Sequence, residues 1–121
     1  MTIHREQVER WLEDYVAAWK SYDRDAIGAL FSDQIEYRYH PYDEPLRGPD
    51  AIVADWQGDR DEPGSWEARY EPLLVDGDRA VATGETRYAD GRTFSNIFVL
   101  AFDGEGRCRE FTEWYMEHPP A

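Results

Sequence analysis

Near the end of the chain, one carboxyl and one amide are spaced into a row of aromatic rings. From Thr93 to Tyr115 the residues read as two long antiparallel strands joined by the turn Asp103-Gly104-Glu105-Gly106. Side chains alternate across a strand, so Phe94, Asn96, Phe98, Leu100 and Phe102 share one face. On the partner strand Phe111, Glu113 and Tyr115 share a face as well. If both rows line one concavity, Glu113 is a carboxyl set in an aromatic wall, costly to leave without a partner. Desolvation favours its neutral form and lifts its pKa toward the range useful for general acid or base work. Glu113 is therefore the leading catalytic candidate. The bland alternative is a register shifted by one residue, which turns it to the other face to pair with an arginine.

Three further residues bear on that chemistry. His40, the one histidine outside the two terminal segments, has the ring to act as base or proton shuttle. Tyr15 falls on the apolar stripe of the first helix, and a buried hydroxyl needs a partner, so it reads either as hydrogen-bonded core or as a pocket donor. Asn96 interrupts an apolar row and must be hydrogen-bonded if buried, to Glu113, to a ligand or to backbone. Trp19, Trp56, Phe98, Phe111 and Tyr115 read first as core and second as the lining of a ligand cavity, since cavities are lined by what cores are made of. Metal binding is unsupported: His4, His40 and His118 lie far apart, and the acidic runs lack the order of a calcium loop. There is no phosphate-cradling glycine loop and no nucleophile elbow, so no cofactor is expected. Cys108, between Arg107 and Arg109, is expected on the outer side of the last strand.

The elements that must position these groups are legible from periodicity. Val8, Trp11, Leu12, Tyr15, Val16, Trp19 and Tyr22 form one stripe, predicting a helix over 5–21. Asp23 reads as the N-cap of a second, shorter helix burying Ala26, Ile27, Leu30 and Phe31. An alternating strand follows at 35–39 and ends before Pro41, which pushes His40 into extended geometry at a strand end or loop mouth. Gly48-Pro49-Asp50 opens a third helix with Ile52, Val53 and Trp56 inward. Residues 57–64 form a charged loop, either solvated or a lid over a pocket. Strands are then expected at 66–75, 79–88, 93–102 and 107–116, joined by hairpin turns at Asp76-Gly77-Asp78, Asp90-Gly91 and Gly104/Gly106. Helices followed by a meander make an α+β domain. The tail from His118 is expected to fray.

At 121 residues the chain is one domain (1–121, core about 6–116), long enough to bury a core without staples. Its 26 acidic against 13 basic side chains leave a formal charge of −13, which argues against nucleic acid or an anionic membrane as partner. The single cysteine excludes an internal disulfide and fits a reducing cytoplasm. No run of about 18 apolar residues suggests a membrane span.

Several segments together carry a family resemblance: Tyr15-Val16-Ala17-Ala18-Trp19, Asp25-Ala26-Ile27, Arg47-Gly48-Pro49-Asp50-Ala51-Ile52, Phe102 to Arg107, and Glu113-Trp114-Tyr115. With the order of elements, they resemble the nuclear transport factor 2-like superfamily, which includes SnoaL-like polyketide cyclases, ketosteroid isomerases and limonene epoxide hydrolases. The resemblance implies a cone-shaped, curved mixed or antiparallel sheet (a cystatin-like roll) wrapped around the N-terminal helices. It also implies a pocket open at one end, with Tyr15, Trp19, Trp56, Asn96, Phe98, Phe111, Glu113 and Tyr115 lining it and His40 near the mouth. Ketosteroid isomerases have a tyrosine at the place of Tyr15. Their aspartate base corresponds to His40 and their second oxyanion donor to Phe98, so two of the three functional places differ. The epoxide-hydrolase arrangement of Asp, Arg and Asp is not evident.

Ile97, Val99, Ala101, Trp114 and Met116 face outward if Asn96 and Phe98 face in, an apolar row suited to homodimerisation through the convex sheet face, as the superfamily often does. Three readings of function follow. The first is a cofactor-independent isomerase, cyclase or hydratase acting on a small, largely apolar molecule. In it Glu113 is acid or base, His40 assists, Tyr15 donates to an oxyanion and Asn96 positions. The second is a binding module without chemistry, and the third a structural domain whose pocket its own side chains fill.

Overall fold

The computed structural model describes residues 2–120. Helix α1, Arg5–Ser21, buries Val8, Trp11, Leu12, Tyr15 and Ala18 along the expected stripe. The Gln7 side chain closes its first turn by accepting from the His4 N–H at 2.8 Å. Tyr22 ends it in the left-handed region (φ 53°), where a β-carbon is crowded, and donates its N–H to the Ala18 carbonyl at 2.8 Å. Asp23 then caps α2, Arg24–Ala29, accepting from the Ala26 N–H at 2.9 Å.

Helix α2 is shorter than its apolar pattern suggests. Phe31 does not belong to it; it opens strand β1, Phe31–Arg38, and Ala26 is exposed while Ile27 and Leu30 are buried. A two-residue strand β2, Leu46–Arg47, pairs with β1, and α3, Pro49–Gly58, follows with Ile52, Val53 and Trp56 buried. The meander comprises β3 (Trp66–Asp76), β4 (Arg79–Tyr88), β5 (Thr93–Phe102) and β6 (Cys108–Glu117). All six strands form one sheet in the order β2-β1-β6-β5-β4-β3. β1 and β6 run parallel and every other pair is antiparallel. The last strand thus lies between the first long strand and the hairpin that precedes it.

The sheet curves around α1 because its inner surface on β4 is made of small residues, Ala80, Ala82 and Gly84. At Gly84 a β-carbon would collide with the Arg69 carbonyl and the Tyr70 ring, so glycine is what lets β3 and the Tyr70 ring lie this close. Cross-strand pairing places Asn96 opposite Tyr115, Phe98 opposite Glu113 and Leu100 opposite Phe111. The carboxyl therefore shares the concave face with the aromatic row.

Two expectations fail at the far end of that hairpin. Ala101 pairs with Glu110 but Phe102 pairs with Cys108, so Arg109 is an extra, bulged residue. The bulge reverses the alternation, and Cys108 is fully buried in the core instead of lying outside. Burial pushes its thiol well above the usual pKa, which removes it as a reactive group. Ala101 does face outward but is not free surface. Its lateral neighbours Arg79 and Glu110 bridge at 3.0 Å, and Ala101 is fully buried. The tail is also held further than expected: His118 donates its N–H to the Thr93 carbonyl at 2.8 Å, and its ring lies 2.7 Å from the Ser95 hydroxyl. Ala121 lies outside the described residues. Among the described residues no helix is long and apolar enough to cross a membrane.

Candidate functional site

The concave face of the sheet, the inner side of α1 and the end of α3 enclose a cavity of about 520 Å³. Glu113 reaches it from β6, Asn96 from β5, Thr86 from β4 and Tyr70 from β3. These four are joined in one chain of hydrogen bonds. The Asn96 amide nitrogen donates to the Glu113 carboxylate at 2.7 Å. The Thr86 hydroxyl donates to the Asn96 amide oxygen at 3.0 Å. With its own proton committed, Thr86 must accept from the Tyr70 hydroxyl, 2.6 Å away. The chain has a direction, and it holds the Asn96 NH2 toward the carboxylate.

Burial is the largest influence on Glu113 and raises its pKa from 4.5 to about 7, against the lowering effects of the Asn96 hydrogen bond and the His40 charge. Near neutral pH it can therefore both take and return a proton.

Tyr15 on α1 and Tyr37 on β1 meet hydroxyl to hydroxyl at 3.1 Å. Their rings are buried in an aromatic stack with Phe111, which lies 5.6 Å from Tyr15 and 4.3 Å from Tyr37 between ring centroids. Burial lifts both phenols well above their ordinary pKa, and the Glu113 charge adds to the effect. Both remain protonated donors. Two hydroxyls bonded only to each other share one proton between them, which leaves the second O–H without an acceptor among the described residues.

At the mouth, His40 Nδ1 lies 2.9 Å from the Asp43 carboxylate and Nε2 lies 2.8 Å from the Tyr115 hydroxyl. A carboxylate only accepts, so Nδ1 carries a hydrogen; Nε2 accepts from the Tyr115 hydroxyl in the neutral ring and donates to it in the charged one. Asp43, three residues on in the turn after β1, fixes the tautomer. The opposite rim is set by Trp19, whose ring stacks on Trp66 at 3.5 Å between centroids and whose N–H donates to both Tyr22 and Asp61 at 3.2 Å. The Asp61 N–H donates in turn to the Tyr22 hydroxyl at 2.8 Å. Residues 57 and 58 of the expected loop belong to α3, and the remainder is tied to the rim through Asp61. Tyr22, the one non-glycine residue with positive φ among the described residues, thus anchors both this loop and the end of α1.

The structure brings Tyr15, Trp19, His40, Trp56, Asn96, Glu113 and Tyr115 to the cavity wall. Phe98 and Phe111 do not reach it; they are buried beneath, packed on each other at 4.8 Å and on Tyr15. Sequence reasoning overlooked Tyr37, Asp43, Asp55, Asp61, Tyr70 and Thr86, all of which line the cavity. Strand alternation on β1, β3 and β4 could have found the tyrosines and Thr86. The aspartates sit in turns or on exposed helix surface, where neither period nor hydropathy distinguishes them.

Residues 12–111 match the family model of the SnoaL-like domain. The chain belongs to the SnoaL-like family. A search of curated proteins finds no match. Among solved structures, the SnoaL-like chain superposes on an NTF-2 like protein of unknown function from Burkholderia xenovorans LB400 with a TM-score of 0.73, at 18% identity, covering 96% of this chain and 88% of that one. A "putative ketosteroid isomerase" from Kribbella flavida DSM 17836 gives a TM-score of 0.71 at 20% identity, covering 97% and 84%. An M. tuberculosis LEH-like epoxide hydrolase gives 0.65 at 16% identity, covering 93% and 84%. At these identities the likeness is one of fold.

Proposed function

We propose that this SnoaL-like protein is a cofactor-independent acid–base catalyst that moves a proton on a small, largely apolar molecule, as in isomerisation, cyclisation or hydration. The observation that carries this reading is the Glu113 carboxyl, hydrogen-bonded by Asn96 in an aromatic cavity and titrating at about pH 7. As a carboxylate, Glu113 accepts a proton from carbon next to a carbonyl. The carbonyl oxygen, gaining negative charge, accepts from the spare O–H of the Tyr15–Tyr37 pair. Glu113 then returns the proton to another position. His40, held by Asp43 and linked to Tyr115, is a second proton carrier at the mouth. The neighbours named as ketosteroid isomerase and epoxide hydrolase are compatible with a catalytic cavity but do not choose the reaction. Phe98, at the place of the isomerases' second donor, is buried core, which speaks against copying that mechanism.

The test is hydrogen–deuterium exchange of small methyl ketones in heavy water, followed by proton NMR. Exchange accelerated by the protein and abolished in Glu113→Gln supports the reading. Saturable binding with no acceleration would replace it with a module that sequesters or senses. The reading also places the protein in the cytoplasm, consistent with its single buried cysteine. Association of two copies through the convex sheet face completes it. There Val81 and Val99 pair side by side, flanked by Ile97 opposite Trp114, each of the last two 44% exposed.

A further inference from the structure

Resting on that reading of the cavity, we infer that Tyr115 is a second catalytic residue. It is the acid that protonates a hydroxyl leaving the carbon β to the substrate carbonyl. The reaction is then the loss of water from a β-hydroxy ketone, or its reversal. Asp43, His40 and Tyr115 all line the cavity and are joined in sequence, carboxylate to Nδ1 at 2.9 Å and Nε2 to phenol oxygen at 2.8 Å. The imidazole between them has little choice of orientation. It stacks on Tyr42 at 5.1 Å between centroids, 12° from parallel, while the two hydrogen bonds fix its rotation. Its side chain is 35% exposed, so it can exchange protons with bulk water directly.

The hydrogen on Tyr115 changes partner with the charge of His40. Beside a neutral ring the phenol donates to Nε2. Beside a charged ring Nε2 donates to the phenol oxygen, which frees the Tyr115 hydrogen for an oxygen in the cavity. That hydroxyl has no further partner among the described residues. Burial, and after it the Glu113 charge, raises the Tyr115 pKa, so the group enters the reaction protonated, as a donor. Glu113 and Tyr115 stand two residues apart on the concave face of β6, about 7 Å where they leave the strand. Each can therefore serve one of two adjacent carbons of a single molecule. An isomerisation has no use for the second donor, since Glu113 returns the proton it took. An elimination does. Glu113 takes the proton from the α-carbon, and the C–H electron pair becomes the carbon–carbon double bond as the β C–O bond breaks. The departing oxygen takes the Tyr115 proton, Tyr115 takes the Nε2 proton of His40, and water leaves. Glu113 then gives its proton to solvent and His40 regains one, so no net proton is consumed.

The experiment incubates the full chain with 4-hydroxy-4-phenylbutan-2-one and follows the conjugated enone by its ultraviolet absorption. Deuterium exchange of 4-phenylbutan-2-one, which has no hydroxyl to lose, is measured alongside. The hydroxy ketone is expected to lose water in a saturable reaction. Tyr115→Phe should slow that elimination at least about a hundredfold and slow exchange by less than about tenfold. His40→Asn should do the same, with circular dichroism monitoring the fold of each variant. The double variant should lose no more than the larger single loss, because both residues handle one proton. Elimination that withstands Tyr115→Phe, multiplicative losses in the double variant, or release of benzaldehyde in place of the enone would each overturn the inference. Exchange without elimination also refutes the Tyr115 acid, but keeps Glu113 as base. Tyr115-dependent elimination undiminished in Glu113→Gln does the reverse, and absence of both reactions refutes both.

Discussion

Glu113 carries a proton whose free energy can be read in two ways. In an unfolded chain its carboxyl ionises near 4.5, and in the fold burial holds it protonated up to about 7. Between those values the folded state binds more protons, so Glu113 costs stability progressively as pH rises through this window, and the cost is constant above it. Glu113→Gln has no such dependence. The stability difference between the two proteins, from denaturant unfolding, should therefore shift in favour of the glutamine variant by about 3 kcal/mol from pH 4.5 to pH 8. A flat difference would mean that the carboxyl is solvated. Thr86 makes a second test at the same scale. Thr86→Val removes the hydroxyl that fixes the Asn96 amide, frees that amide to turn, and weakens the hydrogen bond that favours the carboxylate. The Glu113 titration midpoint, followed by NMR, should rise by up to about one unit, with any ketone exchange moving to higher pH in step. A variant with an unmoved midpoint would mark Thr86 as structural only.

At the scale of elements, Gly84 decides whether the chain of hydrogen bonds can exist. The Tyr70 ring lies close across Gly84 and reaches Thr86 two residues along the same strand. Gly84→Ala places a methyl group against that ring and the Arg69 carbonyl, so β3 must move away from β4. A loss of about 2 kcal/mol or more is expected by thermal or denaturant unfolding, with the Tyr70 signal perturbed beyond its neighbours. Element order was open to sequence reasoning because each element keeps its own period: six apolar residues on α1 with Tyr22 at its end, and alternation on β1, β4 and β5. The face of Glu113 followed from the same alternation, counted over the few residues around the pairing with Phe98. Counting failed where tertiary contacts insert a residue. Arg109 bulges out of β6 while its side chain bonds to Asp78 at 2.7 Å and to the Phe102 carbonyl at 3.2 Å, and this turned Cys108 inward. No local pattern announces such a bulge. The aspartates of the mouth escaped for a related reason, since only the folded arrangement brings Asp43, Asp55 and Asp61 to one opening.

For the whole molecule, the convex surface and the concave cavity are two faces of the same strands. Met116 (73% exposed), Ile97 and Trp114 leave apolar area on the convex side. Replacing Val99 by Asp puts an unpaired charge at the centre of the surface proposed to join two copies, and association should weaken at least about tenfold in sedimentation equilibrium. A wild-type chain that remains monomeric at micromolar concentration would end that proposal.

The parallel pairing of β1 with β6 has a consequence for how the protein is made. During synthesis β6 leaves the ribosome after the other five strands of this sheet, yet it occupies the middle of the sheet and contributes Glu113. Until it arrives, β1 and β5 each present an unpaired edge beside exposed aromatic rings, a state prone to self-association. Nascent chains stalled before Cys108 should therefore depend on chaperones, while those released just past Glu117 should not. The catalytic candidate and the strand that closes the sheet reach the folding chain together.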